Sequence, residues 1–138
     1  FAVDGRESKH NMVYWTYKEY LGLGAGAHSF LNNKRFNNYI SIPTYIRYIK
    51  ESSDAVANLE PISIEEQQAE FCFLGLRLME GLGKNAFYQR FGKEITQVYG
   101  KAIEKLKEQG LLQENTENIR LTAQGLDFAN VVFAEFLP

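Results

Sequence analysis

The stretch SIEEQQAEFCFLGLRLMEGLG, residues 63–83, decides the fold of the second half of the chain. Ser63, with Glu66 three residues later, forms a capping box that satisfies the free amides at the start of a helix. Apolar side chains lie nearly all round the helix that we predict from about Ile64 to Glu80, so this helix is expected to be central and buried. The glycines that follow predict a break in the helix.

The elements after this helix are predicted from their periodicity and their glycines. A short helix from about Asn85 to Phe91 ends at Gly92, and a longer helix from Glu94 to Gln109 ends at Gly110. Apolar pairs on both sides of the polar turn ENTEN predict a hairpin, and Thr122 caps a last helix. Three helices, a hairpin and a closing helix make a winged-helix arrangement.

The charge of this half disfavours nucleic acid as a partner. The chain before Glu60 has a net charge of +2, and the chain from Glu60 onward has a net charge of −4. The helix in the position of a DNA-reading helix carries three lysines against three glutamates: Lys101, Lys105 and Lys107 with Glu94, Glu104 and Glu108. Because affinity for DNA depends on neutralising phosphates with Lys and Arg, we expect no binding to nucleic acid.

The composition bounds the class of protein. The chain has 138 residues, 45% hydrophobic and 14% aromatic, which suffices for a real core. It has no transmembrane segment and no signal-peptide pattern, and its single cysteine, Cys72, excludes a multi-cysteine metal site within the chain. A cytoplasmic location is therefore predicted. Because the chain opens on FAVDGRESKHN, without methionine, we interpret it as part of a longer protein.

The first half is less regular than the second. The polar stretch Glu51–Pro61 ends in proline, as linkers do, and we place a domain boundary there, after residue 59. Before it, HNMVYWTY predicts a short helix, EYLGLGAG a buried strand, KRFNNYISI another strand, and PTYIRYIKES a helix with Pro43 in its first turn. Two strands do not make a stable sheet alone, so this half is expected to be the end of a larger α/β body.

A glycine-rich run is the first candidate site. Gly22, Gly24 and Gly26 are spaced G-x-G-x-G, which matches neither the dinucleotide fingerprint nor the phosphate loop. Such glycines indicate that something approaches the backbone closely, either a ligand or a neighbouring strand. His28 follows at a predicted strand end, where α/β folds place ligands, although a histidine bonded to the backbone fits the pattern equally.

The string HNMVYW is the second candidate site. His10 is suited to iron ligation or proton transfer, Tyr14 lies one helical turn further on the same face, and Trp15 adds a flat apolar wall. A planar aromatic cofactor suits this grouping, but so does an ordinary core, and Asn11 is equally suited to capping the helix. Since the chain contains no evident Ser-His-Asp set, no catalytic residue is predicted.

The order of these motifs resembles the C-terminal part of the oxygen-independent coproporphyrinogen III oxidase family, whose members are radical S-adenosylmethionine proteins. The motifs that carry the resemblance are FAVDGRESKHNMVYW, YLGLGAGAHSF, RFNN, EFCFLGLRLMEGL, FYQRFG, LKEQGLL and LTAQGL. The string H-N-x-x-Y-W and the segment GAGAHSF bring the chain nearest to the HemW-like haem chaperone branch. The resemblance spans essentially the whole chain.

This resemblance implies an α+β fold. Residues 1–59 would be the last elements of a partial TIM-like barrel with a connecting helix, and residues 60–138 a winged-helix-like C-terminal domain. The longer protein would hold a 4Fe–4S cluster, S-adenosylmethionine and haem. Because the cluster cysteines are missing here, the fragment alone is expected to bind none of these cofactors and to be inactive, and whether the parent is an enzyme stays open.

The resemblance also assigns residues. Those placed near S-adenosylmethionine in the full-length protein are Phe1, Ala2, Gly22, Gly24, Gly26 and His28. Those associated with haem are His10, Asn11, Tyr14 and Trp15, with His10 as the ligand of the haem iron.

Three functions follow as hypotheses. The first is haem binding and delivery to an acceptor protein that the sequence does not identify. The second is oxidative decarboxylation of coproporphyrinogen III by the parent protein, and the third is a non-enzymatic winged-helix adaptor. Pairing of two copies through an exposed apolar edge of the barrel is a further hypothesis.

Overall fold

The computed structural model describes residues 8–138. Its helices are α1 (Lys9–Trp15), α2 (Ile42–Ser52), α3 (Ile64–Gly75), α4 (Lys84–Phe91), α5 (Ile95–Glu108), α6 (Ala123–Asp127) and α7 (Ala129–Ala134). Its strands are β1 (His28–Leu31), β2 (Lys34–Asn38), β3 (Val56–Pro61), β4 (Leu82–Gly83), β5 (Leu112–Glu114) and β6 (Asn118–Leu121). None of the helices in this part of the chain is long and apolar enough to span a membrane.

The described residues fall into two compact units. The larger unit joins residues 8–17 to residues 64–138, and the smaller unit is Lys18–Ser63. The helix α1 therefore belongs with the second half of the chain, although 46 residues separate the two parts in sequence. The predicted division into a barrel end and a C-terminal domain at residue 59 stays a prediction about the longer protein.

The larger unit has the order of elements found in winged helices. α3 leads through the short β4 into α4 and α5, and the hairpin β5–β6 follows. β6 lies between β4 and β5 and pairs antiparallel with both, with Ile119 opposite Leu82 and Leu121 opposite Leu112. Side chains from α3, α4, α5, the sheet, α7 and the turns after α3 and α7 fill the core. They are Cys72, Leu76, Leu82, Phe87, Ile95, Ile103, Leu106, Ile119, Val132 and Phe136, all nearly inaccessible.

α3 is shorter and less completely buried than the sequence predicts. It ends at Gly75 and not near Glu80, because the chain tightens there into turns in which Arg77 N–H donates to the carbonyl three residues back. Ile64 and Met79, at its two predicted ends, are exposed. Only the first turn of α3, residues 64–66, is exposed, and residues 67–75 are all buried or half-buried, so the predicted central position holds for the rest of the helix. The apolar residues after Gly75 belong to turns.

The glycine and polar caps of the other helices are confirmed. Gly92 and Gly110 have φ of 67° and 71°, the left-handed conformation that ends α4 and α5. Thr122 Oγ1 accepts the N–H of Gly125 at 2.9 Å and caps α6. The closing helix, predicted as one, is divided into α6 and α7 at Phe128, whose φ and ψ of −110° and 25° are not helical.

The smaller unit is an antiparallel meander with one helix. β1 and β2 form a hairpin through Asn32 and Asn33, whose φ values of 50° and 58° suit a two-residue turn of type I′. β3 pairs with the other edge of β2, with Leu59 opposite Phe36. The sequence predicts a linker at Glu51–Pro61. This prediction is wrong, because the stretch contains the end of α2 and all of β3.

The helix α2 is poorly buried. Pro43 lies in its first turn, as predicted, and the Tyr48 ring stacks on the Tyr39 ring with centroids 4.5 Å apart. A hydrogen bond to Tyr48 raises the pKa of the Tyr39 hydroxyl. No residue of α2 is buried, and Ile42, Ile46 and Ile49 form an exposed apolar stripe.

Candidate functional site

The string HNMVYW forms α1, a helix capped at both ends. Ser8 precedes it, and the Ser8 Oγ accepts the N–H of Asn11 at 3.4 Å. At the other end Thr16 Oγ1 donates to the carbonyl of Met12 at 2.6 Å. Asn11 lies inside the helix, so the alternative that it caps α1 is wrong, and Ser8 has that role. The sequence missed Ser8, although Ser is among the preferred capping residues.

The candidate side chains on α1 differ in exposure. Asn11 is exposed, while Tyr14 and Trp15 are half-buried. The backbone of His10 lies in α1, but its side chain is outside the described residues, as are Phe1 and Ala2. α1 thus carries a partly exposed aromatic pair on the larger unit.

Tyr17 fastens the end of α1 to this unit. Its side chain is 4% exposed, and its ring meets Phe71 of α3 edge to face, with centroids 6.1 Å apart. The guanidinium carbon of Arg90, in α4, lies 4.5 Å from the centre of the Tyr17 ring. The sequence does not indicate that Tyr17 and Arg90 are in contact, because the two residues are far apart along the chain.

The glycine run forms a closed loop in the smaller unit. Tyr20 and Phe30 exchange two backbone hydrogen bonds of 2.9 Å, and Gly22 N–H donates to Ser29 Oγ at 3.0 Å. A Cβ on Gly22 would lie 2.3 Å from the carbonyl oxygen of His28. The close approach at Gly22 is therefore made by the chain itself.

The other two glycines of the run are required by backbone conformation. Gly24 has a φ of 105° and Gly26 a φ of 69°. The Gly24 carbonyl accepts from Asn38 Nδ2 at 2.9 Å, and Gly26 N–H donates to the carbonyl of Tyr39 at 3.0 Å. EYLGLGAG is thus a loop and not a buried strand, and Leu21 and Leu23 are exposed.

The sequence predicts that His28 lies at the end of a strand, but it lies at the beginning of one. It is the first residue of β1, it is exposed, and it lies opposite Asn37 of the antiparallel β2. The argument from the carboxyl end of a parallel strand therefore does not apply to it. Its predicted place near S-adenosylmethionine depends on the resemblance alone.

The residues described here do not fit an iron–sulfur cluster. Such a cluster needs several thiolate ligands, and residues 8–138 contain no group of three or more His, Cys, Asp or Glu side chains arranged to hold a metal ion. Cys72 is fully buried in the core, and burial raises the pKa of its thiol, which keeps it neutral. Cys72 is a small apolar core residue, as its sequence context predicts.

Lysines on and beside α5 are paired with carboxylates. Lys84 and Lys107 bind the two oxygens of Glu114 at 2.7 Å and 2.6 Å, and Lys105 binds Glu135 at 2.8 Å. These ion pairs reduce the positive charge that the helix offers to phosphates. The absence of a nucleic-acid partner stays a prediction.

Part of the larger unit is similar to a known domain family. Residues 62–128 match the family model of the HemN C-terminal domain. These residues are similar to a HemN C-terminal domain. The resemblance that the sequence motifs indicate is thereby confirmed for this part of the chain.

Several curated proteins are similar to nearly the whole chain. "Heme chaperone HemW" of Bacillus subtilis is 36% identical over 99% of the chain and 36% of its own length. "Heme chaperone HemW" of Lactococcus lactis is 35% identical with the same coverage. "Radical S-adenosyl methionine domain-containing protein 1, mitochondrial" of Bos taurus is 27% identical over 91% of the chain. The chain spans about a third of the length of these relatives.

A solved structure confirms the fold. The coproporphyrinogen III oxidase HemN of Escherichia coli superposes with a TM-score of 0.66 over 86% of this chain and 28% of that protein, at 17% sequence identity. At this identity the likeness concerns the fold alone. The predicted α+β class is confirmed, and the winged-helix-like arrangement of the C-terminal part stays a prediction.

Proposed function

We propose that this chain is the C-terminal part of a HemW-like radical S-adenosylmethionine protein that binds haem and delivers it to an acceptor. The observation that carries the proposal is the helix α1. Its string H-N-x-x-Y-W lies within the stretch that aligns with haem chaperones over 99% of the chain, and its aromatic residues are partly exposed on the larger unit.

The side chains of α1 fit haem chemically. Haem supplies an iron with axial positions and a flat, largely apolar ring, and the protein supplies an axial ligand and a surface that shields the ring. We assign His10 as the iron ligand. Tyr14 and Trp15 would provide aromatic surface, and the exposed Asn11 would offer a polar group at the edge of the site.

S-adenosylmethionine and the cluster belong to the longer protein in this proposal. The cluster ligands must come from outside this chain, whose one cysteine is a buried core residue. Phe1, Ala2, Gly22, Gly24, Gly26 and His28 would lie near S-adenosylmethionine. The chain alone would neither bind the cluster nor catalyse a reaction, and a cytoplasmic location and pairing of two copies stay predictions.

A haem titration of the full-length protein tests the proposal. We expect His10→Ala to weaken the affinity for haemin at least about ten-fold, measured by the Soret absorbance, because an axial ligand is lost. The control is Gln89→Ala, which changes an exposed polar residue of α4 in the same unit and should leave the titration unchanged. Wild-type affinity in the His10→Ala protein would remove His10 from the site.

Oxidative decarboxylation of coproporphyrinogen III is the alternative function. The fold likeness to HemN makes it worth testing, although at 17% identity this likeness does not assign an activity. The full-length protein, reconstituted with its cluster and S-adenosylmethionine, should form no vinyl product from coproporphyrinogen III. Formation of that product would favour the alternative.

A further inference from the structure

Tyr17 holds a conformation that the rest of the unit must maintain. Its φ of 53° is in the left-handed region, which bulky residues seldom adopt, and it follows Thr16, the C-terminal cap of α1. Its N–H donates to the carbonyl of Tyr14 at 3.0 Å, so the reversal begins within α1 itself. Strained residues of this kind persist only where surrounding contacts determine them.

Two residues of the larger unit make such contacts. Phe71 meets the Tyr17 ring edge to face at 6.1 Å, and Phe71 in turn contacts Phe87 and Phe91 at 5.9 Å and 5.6 Å. Arg90 lies over the Tyr17 ring at 4.5 Å and near the Phe91 ring at 5.8 Å. Tyr17 thus joins α1 to an aromatic cluster whose member Phe87 is fully buried.

α1 depends on these contacts for its orientation. It has seven residues, and isolated helices shorter than about 12 residues are marginal in water. A side chain that ligates a metal or shields a ring must be held close to its productive position by residues that do not touch the ligand. The contacts at Tyr17 can supply this restraint, since Tyr17 is only two residues beyond Trp15.

We propose that Arg90 and Phe71 act through Tyr17 as positioning residues for α1, so that the larger unit sets the geometry at which H-N-x-x-Y-W meets haem. This inference rests on the proposed function. Arg90 is the sharper of the two to test, because its guanidinium is at the surface and its replacement leaves no cavity in the core. Lysine preserves the cation over the ring, whereas methionine preserves only the length of the side chain.

The same unit offers a matched control. Arg77 lies over the Phe133 ring at 5.2 Å, so it makes the same kind of contact as Arg90 does. Its partner ring is in α7 and not at the end of α1. Arg77→Met should therefore perturb an equivalent interaction without disturbing α1.

Two measurements on the full-length protein form the test. We expect Arg90→Met to weaken haemin affinity by about five-fold and to shift the Soret maximum, with Arg90→Lys largely restoring both and Arg77→Met affecting neither. Without haem, hydrogen exchange of amides in residues 11–17 should accelerate in Arg90→Met, while exchange in α5 stays as in the wild type.

The two measurements separate this inference from the proposed function. Accelerated exchange of α1 in a protein that binds no haem would support the anchoring by Arg90 and contradict haem binding. Haem binding by the wild type with an unchanged Soret band and unchanged exchange in Arg90→Met would overturn the positioning role. Equal effects of Arg90→Met and Arg77→Met would overturn it too, since they would indicate a general loss of stability.

Discussion

At the scale of single residues, the carboxylate of Glu114, in β5, forms ion pairs with two lysines. Its two oxygens bind Lys107 and Lys84, and its side chain is 17% exposed. The Nζ of Lys84 also donates to the carbonyl of Asn115 at 2.7 Å, at the turn of the hairpin. One carboxylate therefore connects α5, the start of α4 and the β5–β6 turn.

We expect Glu114→Gln to lower the free energy of unfolding by about 1 kcal/mol at pH 7, since a shared ion pair of this kind is worth somewhat more than an isolated surface pair. The hydrogen bonds from Lys107 and then Lys84 hold the pKa of Glu114 below its usual range. The stabilisation is thus present above the ordinary glutamate pKa and is lost as the pH falls through the lower folded value.

Urea unfolding at neutral and acidic pH measures this difference. The two proteins should converge in stability at acidic pH, and Glu108→Gln, at an exposed position of α5, should match the wild type throughout. A Glu114→Gln protein equal to the wild type at pH 7 would contradict the role of this carboxylate in stability.

At the scale of elements, the junction between α3 and the sheet of β4, β5 and β6 depends on a glycine. Gly81 has a φ of 84°, and a Cβ there would lie 2.3 Å from the carbonyl oxygen of Ile119. Gly100, in the middle of α5, has open space where its Cβ would be. The two glycines therefore predict opposite effects of the same substitution.

Gly81→Ala should destabilise the protein by at least about 2 kcal/mol, because it combines backbone strain with a clash against the strand β6. Gly100→Ala should stabilise it by about 0.5–1 kcal/mol, since alanine is the better helix former. Thermal or urea unfolding of both variants checks the pair. A Gly81→Ala protein as stable as the wild type would show that the entry into β4 is not constrained as described.

The elements also show what the sequence can predict. Helix ends were predictable at Gly92 and Gly110, since a cap is a local signal. β3 was missed because all but one of its residues are exposed, so it has no alternation, and its pairing with β2 is a non-local interaction. The prediction for His28 is wrong because the residues of a strand do not determine its direction relative to the neighbouring strands.

At the scale of the whole molecule, the larger unit is assembled from two separated segments. Residues 8–17 pack with residues 64–138, and Lys18–Ser63 is a compact insertion between them. No local pattern in the first segment indicates this membership, because it results from contacts of Tyr17 with residues far along the chain. The candidate residues on α1 could therefore be listed from the sequence but not assigned to a domain.

If residues 8–17 and 64–138 form a compact unit by themselves, a short linker should be able to replace Lys18–Ser63. The Tyr17 and Phe71 rings are 6.1 Å apart, and α3 covers about 10 Å from Phe71 back to Ile64, so about eight Gly and Ser residues can join Tyr17 to Ile64. We expect the shortened chain to unfold cooperatively and to retain slow hydrogen exchange in α5. Loss of cooperative unfolding would contradict the division into two units.

The central claim is that haem binds at α1, on the larger unit. Hydrogen exchange of the full-length protein with and without haemin tests it most directly. The account predicts that haemin slows exchange in residues 9–17 and leaves α5 and the β5–β6 hairpin unchanged. Protection that appears only elsewhere in the protein, with residues 9–17 exchanging at the same rate in both samples, would contradict it.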